Sequence, residues 1–283
     1  MLLTIGMIFY QGINGSYSSY VASLLVSNLW DTYSSQGVFS FKELFENVVN
    51  QSWIGVVPIE NSYAWSVHQN FFLFSKYNVK IIGEYYLPIR HALLGIGEIE
   101  DIKKVISHPQ ALMQTEDFVS QYWWETEEVA DTALAAKIVA QKKDPSIGAI
   151  ASPYAWKIYG LNVLKRGIQD QDGNTTRFFV IVPEWVHQNF QRNILDDFSA
   201  KPYEKVSVLF RLKDIPAALY KALGAFATRG INLTKIESVP AKQKAFEYIF
   251  WLDFQKNVPE KLVKEALEEL EFFSKEIKVL GVY

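Results

Sequence analysis

The stretch KVSVLFRLKDIPAALYKALGAFATRGINLTKIESVP, Lys205 to Pro240, decides the fold of the C-terminal part of the chain. Lys205 to Leu212 reads as a strand, Ile215 to Arg229 carries an apolar stripe at helical spacing, and Asn232 to Val239 returns to strand character. Asp214 is the expected N-cap, with Pro216 in the first turn and Gly230 at the left-handed position that ends the helix. Continuing outward, Ala245 to Phe254 reads as a strand, Val258 to Lys275 as a helix and Ile277 to Val282 as a strand. The order is βαββαβ, which predicts a ferredoxin-like sheet with two helices on one face.

Upstream, Gln188 to Arg192 and Asp196 to Lys201 carry no strand or helix period, so residues 186–202 are expected to be a linker between a domain at 1–185 and one at 203–283. In the first domain short apolar strands alternate with helices. Leu3 to Tyr10, Trp53 to Pro58, Val79 to Gly83, His91 to Gly95, Lys104 to Ser107, Ile147 to Ala151 and Phe178 to Val182 are the strands. Ser18 to Ser27, Val67 to Tyr77, Pro109 to Tyr122, Asp131 to Gln141 and Pro153 to Tyr159 are the helices. This rhythm predicts an α/β domain, with a second subdomain at roughly 84–160.

A formal charge of -3 and scattered basic residues give no stripe for nucleic acid or an anionic membrane. Aromatic residues make up 15% of the chain, and without that stripe they read as core and interface packing. Cysteine is absent, which excludes disulfides, a thiolate nucleophile and thiolate metal ligands. No stretch approaches the roughly 20 apolar residues of a membrane span, and Met1 to Gln11 lacks a basic leader. A soluble cytoplasmic protein with cofactor-free chemistry is expected.

Four segments lie where a strand ends or a helix starts, the places where open α/β sheets put ligands: GINGSYS (Gly12 to Ser18), GVVPIENS (Gly55 to Ser62), SHPQALMQ (Ser107 to Gln114) and NTTRF (Asn174 to Phe178). In the first, backbone N–H groups with Ser16 or Ser18 would hold an anionic oxygen, or a serine would simply cap the helix. Glu60, Asn61 and Ser62 end a strand as a polar cluster. Ser107 or His108 would cap the helix that Pro109 opens, and Gln110 and Gln114 share one face at i, i+4 spacing. No second histidine or carboxylate stands at metal-ligand spacing from His108, so no metal is expected.

Taken together and in this order, Ile54 to Ser62, Leu87 to Leu94, Ser107 to Gln114, Ala149 to Leu164 and Asn174 to Phe178 resemble the prephenate dehydratase family, and GINLTKIES at Gly230 to Ser238 resembles the signature of the ACT domain that often follows it. The resemblance implies a two-lobed catalytic domain similar to type 2 periplasmic-binding proteins, and decarboxylating dehydration of prephenate to phenylpyruvate in phenylalanine biosynthesis, without a cofactor. It implies that Thr176 hydrogen-bonds the leaving oxygen. Relay from Glu60 or a water is the expected support, since threonine is a very weak acid. Asn61, Ser62, Ser107, Gln110 and Gln114 would orient substrate oxygens, with Arg177 either clamping a carboxylate or, given strand alternation, bracing the site from behind.

The chain also departs from the family. Trp65 replaces a usual glycine, and Asn70 to Phe72 replace a T-x-D pattern beside the expected cleft. For an ACT effector site the resemblance implicates Ala217, Ala218, Leu219, Asn232, Leu233, Glu237 and Ser238. There the usual glycine is Ala217 and the usual arginine is Val239, so weakened or altered feedback by phenylalanine is expected. Homodimers or tetramers through the ACT and catalytic domains are expected as well. Arogenate dehydration and a non-catalytic amino-acid-binding regulator are the alternatives, and solute transport is disfavoured.

Overall fold

The computed structural model describes residues 6–29, 33–51, 53–189, 204–241 and 247–283, without the side chains of Trp65 and Asn189. The expected linker therefore lies largely outside the described residues, and so does the expectation that the Trp65 indole narrows the cleft. The chain forms two compact units, Met1–Leu44 with Val56–Ser66 and Tyr86–Phe178, and Phe45–Gly55 with Val67–Tyr85 and Phe179–Tyr283.

The N-terminal part runs β1 (Gly6–Gln11), α1 (Tyr17–Asn28), β2 (Tyr33–Val38), α2 (Phe41–Gln51), β3 (Ile54–Asn61), β4 (Trp65–Ser66), α3 (His68–Lys76), β5 (Val79–Pro88), β6 (Ala92–Gly95) and β7 (Lys104–Ser107). It continues with α4 (Pro109–Met113), α5 (Glu116–Ser120), β8 (Glu125–Glu128), α6 (Thr132–Lys142), β9 (Ile147–Ala151), α7 (Ala155–Tyr159), β10 (Asn162–Arg166) and β11 (Thr175–Pro183). A six-stranded sheet has the order β2-β1-β3-β11-β5, with β4 on β3, and a five-stranded sheet has the order β10-β6-β9-β7-β8. The α/β expectation holds. Leu94, Ile106, Ala136, Val139 and Ala149 form one core beside the five-stranded sheet, and Leu93, Val105, Ala111 and Ile150 form another. Small alanines on α6 let it lie close to the strands.

The C-terminal part runs β12 (Lys205–Leu212), α8 (Ala218–Ala227), β13 (Leu233–Pro240), β14 (Tyr248–Gln255), α9 (Glu260–Phe273) and β15 (Ser274–Val282), with sheet order β13-β14-β12-β15. That is the predicted βαββαβ unit, with antiparallel neighbours throughout. Val208, Phe210, Leu252 and Phe254 face Ala222, Phe226, Ala266 and Leu270 in its core. The opposite face carries Trp251, whose ring lies 4.7 Å from that of Phe71 and 5.2 Å from that of Phe74 on α3. Glu237 meets His68 at the start of α3 at 2.6 Å, and Lys278 donates to the Phe74 carbonyl at its end at 3.0 Å. An acid at the N-terminus and a cation at the C-terminus both suit the helix dipole.

Three expectations need correction. The single helix over Pro109 to Tyr122 is two short helices, because the buried Thr115 hydroxyl bonds the Ala111 carbonyl at 2.8 Å and Thr115 leaves helical geometry (φ -131, ψ 20). The helix expected from Ile215 begins at Ala218 instead, and Ala217 at φ 58 stands before it in place of an Asp214 cap. Gly230 does end it, with φ 66 and bonds from Gly230 N to Ala227 O and from Ile231 N to Phe226 O. Third, β2, α2, β4, β8 and β10 are elements that the sequence reading does not assign. Among the described residues no helix is long and apolar enough to cross a membrane.

Candidate functional site

The site grows from the C-terminal end of β3 and the start of β11. Asn61 closes β3 into a tight polar turn, its Oδ1 accepting from the backbone N–H groups of Tyr63 at 3.0 Å and Ala64 at 2.8 Å. Backbone N–H groups can only donate, so they fix which end of the Asn61 amide faces which way. Its Nδ2 donates to Asn174 Oδ1 at 2.6 Å and to Thr176 Oγ1 at 2.9 Å. Asn174, buried, then donates from Nδ2 to Gln114 Oε1 at 3.2 Å. Gln114 sits at the C-cap of α4, and its carbonyl accepts from Asp170 N at 2.8 Å.

On its other side Gln114 Oε1 lies 3.0 Å from Nε2 of His91, which is 3% exposed. His91 Nδ1 lies 3.1 Å from the oxygen of Tyr17, whose hydroxyl donates to the Arg90 carbonyl at 2.8 Å. Burial lowers the pKa of His91, against a smaller upward pull from its bond to Gln114, so the ring is neutral near pH 7. Burial raises that of the Tyr17 phenol, which stays a protonated donor. Beside Gln114 and Asn174 opens a cleft of about 330 Å³, also lined by Tyr63, Met113, Gln169, Asp170 and Gln171. That volume suits a small metabolite.

Of the residues singled out in the sequence, Asn61, Gln114 and Thr176 come together in one hydrogen-bonded set. Ser62 lies beside it and ties the two strands, accepting from Thr175 N at 2.9 Å. Glu60 and Arg177 are turned to the other strand face and joined to each other at 2.8 Å, with Arg177 4% exposed and 5.9 Å from the Tyr86 ring centroid. This pairing runs against Glu60 as the relay to Thr176 and favours the brace for Arg177 over the clamp. Ser107 is fully buried and donates to the Ile150 carbonyl at 2.5 Å, so its hydroxyl serves the sheet. His108, not Ser107, caps α4, its Nδ1 accepting from Gln110 N at 3.2 Å. Ser16 caps α1 by accepting from Ser19 N at 3.1 Å, Ser18 is half-buried on α1, and Gln110 is half-buried in the first turn of α4.

Sequence reasoning missed His91, Tyr17 and the bridging amide of Asn174 as site members. The available signal was a lone histidine in the apolar run Leu87 to Leu94, where burial forces a ring nitrogen to find a partner. Among the described residues no three metal-ligating side chains gather.

The effector candidates divide between the two faces of the ACT sheet. Ala217, Ala218 and Leu219 stand at the start of α8, and Ser238 shares register with Phe250. Glu237 pairs with Trp251 on the opposite face and forms ion pairs with His68 and Lys235. Asn232 donates to Gln255 Oε1 at 3.2 Å, Leu233 is half-buried, and Val239 is buried in the position expected to have lost an arginine.

Comparison with known proteins agrees with this architecture. The prephenate dehydratase family profile matches residues 8–184 and the ACT domain profile residues 206–272. Prephenate dehydratase of Methanocaldococcus jannaschii is 40% identical over 279 residues, covering 98% of this chain and 97% of its own. Arogenate dehydratase 2 of Petunia hybrida is 39% identical over 293 residues, covering 97% of this chain and 70% of its own. The crystal structure of Arthrobacter aurescens prephenate dehydratase in complex with L-Phe superposes with a TM-score of 0.83 at 26% identity, covering 98% of this chain and 89% of that one. The chain belongs to the prephenate dehydratase family, with a C-terminal ACT domain.

Proposed function

We propose that the chain converts prephenate to phenylpyruvate, with Thr176 acting on the leaving oxygen and Gln114 holding a substrate oxygen. Prephenate carries a carboxylate and a hydroxyl at opposite ends of a cyclohexadiene. The bond from ring to carboxylate breaks and its electron pair enters the ring, while the C–O bond breaks with its pair leaving on oxygen. One proton taken up from solvent turns the departing hydroxide into water, and carbon dioxide and phenylpyruvate complete the balance. Aromatisation drives the reaction, so the protein has to assist the leaving oxygen and keep the rest of the substrate still.

The observation that carries this reading is the polarity of the amide set. Thr176 Oγ1 accepts from Asn61, which frees its own O–H to donate elsewhere and strengthens it as a donor. Gln114 Oε1 is met by both Asn174 and His91, which leaves its N–H groups for a ligand. Both groups therefore offer donors, as an oxygen-rich anion requires. Neutral donors also suit a carboxylate that has to depart, because a tight ion pair on that group would stabilise the ground state. Phenylalanine is the proposed effector of the ACT domain, with a weakened response.

The test is to offer the purified chain prephenate and arogenate separately and to follow phenylpyruvate and phenylalanine. Faster turnover of prephenate supports the reading. Turnover of arogenate alone assigns the other substrate, and turnover of neither sinks the enzyme.

A further inference from the structure

We propose that His91 is a positioning residue that locks the Gln114 amide with its N–H groups toward the cleft, so that Gln114 recognises a substrate oxygen and rejects a donor. The inference rests on the dehydratase reading and goes beyond it by adding a residue to the machinery.

The orientation follows link by link from the two backbone donors of the Asn61 turn. The N–H groups of Tyr63 and Ala64 hold Asn61 Oδ1 on their side, so Asn61 Nδ2 faces Asn174 and Thr176. Asn174 must then present Oδ1 to Asn61 and Nδ2 to Gln114, and Gln114 must present Oε1 to Asn174. The ring nitrogen 3.0 Å from that same Oε1 must carry the hydrogen, which assigns the Nε2–H tautomer to His91. Its Nδ1 is then an acceptor that shares the single Tyr17 O–H, 3.1 Å away, with the Arg90 carbonyl at 2.8 Å.

A flipped Gln114 amide would set its NH₂ group against the Asn174 Nδ2–H donor, losing that bond, and would keep its contact with His91 only if the ring gave up the Nε2–H tautomer. Without His91 the longer Asn174 bond alone, at 3.2 Å, holds the orientation. Each such bond is worth about 0.5–1.5 kcal/mol net, so one bond biases the amide only weakly and two bias it strongly. The flipped amide would point a carbonyl oxygen at the substrate's own oxygens.

Two measurements on the full chain test this. Long-range ¹H–¹⁵N spectra of the histidine rings, assigned with a His91→Gln variant, report the tautomer without any need for turnover. The Nε2–H pattern is expected, and an Nδ1–H pattern overturns the proposal. The second measurement is a kinetic cycle with His91→Leu, Gln114→Ala and the double variant, with His91→Gln as the rescue. His91→Leu is expected to lower kcat/KM at least tenfold, His91→Gln to restore most of the loss because its amide can donate to Gln114, and the double variant to be no worse than Gln114→Ala. Losses that multiply would show that His91 does not act through Gln114. A wild-type chain inactive on both substrates would refute the dehydratase reading, while the ring spectra would still decide the His91 assignment.

Discussion

Asn61 Nδ2 donates to Thr176 Oγ1 across 2.9 Å, joining residues 115 positions apart in the sequence and fixing the direction in which the Thr176 hydroxyl can act. Because Asn61 is held by two backbone N–H groups, it cannot turn to become an acceptor for Thr176.

Asn61→Asp tests that direction. The aspartate keeps the turn, since its oxygen still accepts from Tyr63 and Ala64, but it draws the Thr176 hydroxyl toward itself and repels Asn174 Oδ1. We expect kcat to fall about 10²-fold, the scale of losing a donor aimed at developing negative charge, with thermal stability little changed. Steady-state kinetics beside a melting curve checks it, and unchanged kcat would contradict the assigned direction.

Glu60 and Arg177 pair with each other at 2.8 Å on the other face of the same strands. A relay that supplied general acid assistance would be worth about 10²–10⁴ in rate, so Glu60→Gln would be severe if Glu60 fed Thr176. We expect less than about a tenfold loss, well below that range. Arg177→Leu removes a charged hydrogen bond to the half-buried Glu60 and should cost about 1.5–3 kcal/mol of stability, read from denaturant midpoints. Full stability in Arg177→Leu would argue against the brace.

Ala217 holds φ 58, where a side chain costs about 1–2 kcal/mol and glycine fits freely. Ala217→Gly removes that strain, while the looser unfolded chain takes back about 0.4–1 kcal/mol. The variant should be as stable as the parent or slightly more so, and should bind phenylalanine more tightly by calorimetry. Destabilisation would show that the methyl group makes packing contacts that outweigh the strain.

Burial lowers the Lys278 pKa to about 8, below its ordinary 10.5. Between those values the unfolded chain binds more protons at this site than the folded one, so the Lys278 contribution to stability grows as pH rises from about 8 and is lost as pH falls through about 8. Denaturant midpoints across that window, compared with Lys278→Met, should show a rising slope that the variant lacks. Parallel slopes would mean that Lys278 titrates normally.

Where local chemistry and tertiary burial agree, as at Gly230 or along β12, the sequence marks the structure directly. Glu125 to Glu128 was illegible because an exposed edge strand of charged residues carries no apolar alternation. The break at Thr115 depended on a side chain turning back to its own helix. Asn61, Gln114 and Thr176 could be named from the family resemblance that the ordered motifs carry. The roles of Glu60 and Arg177 depended on which face of β3 and β11 each occupies, and strand alternation gave that only for Arg177. His91 needed three dimensions, since nothing in an apolar run tells which distant amide meets a buried ring.

The most direct measurement is kcat on prephenate for Thr176→Ser and Thr176→Val. Serine keeps the hydroxyl that Asn61 orients, and valine keeps the shape without it, so serine should retain turnover within about tenfold while valine loses about 10²-fold or more. Equal turnover of the valine variant and the parent would contradict the central claim.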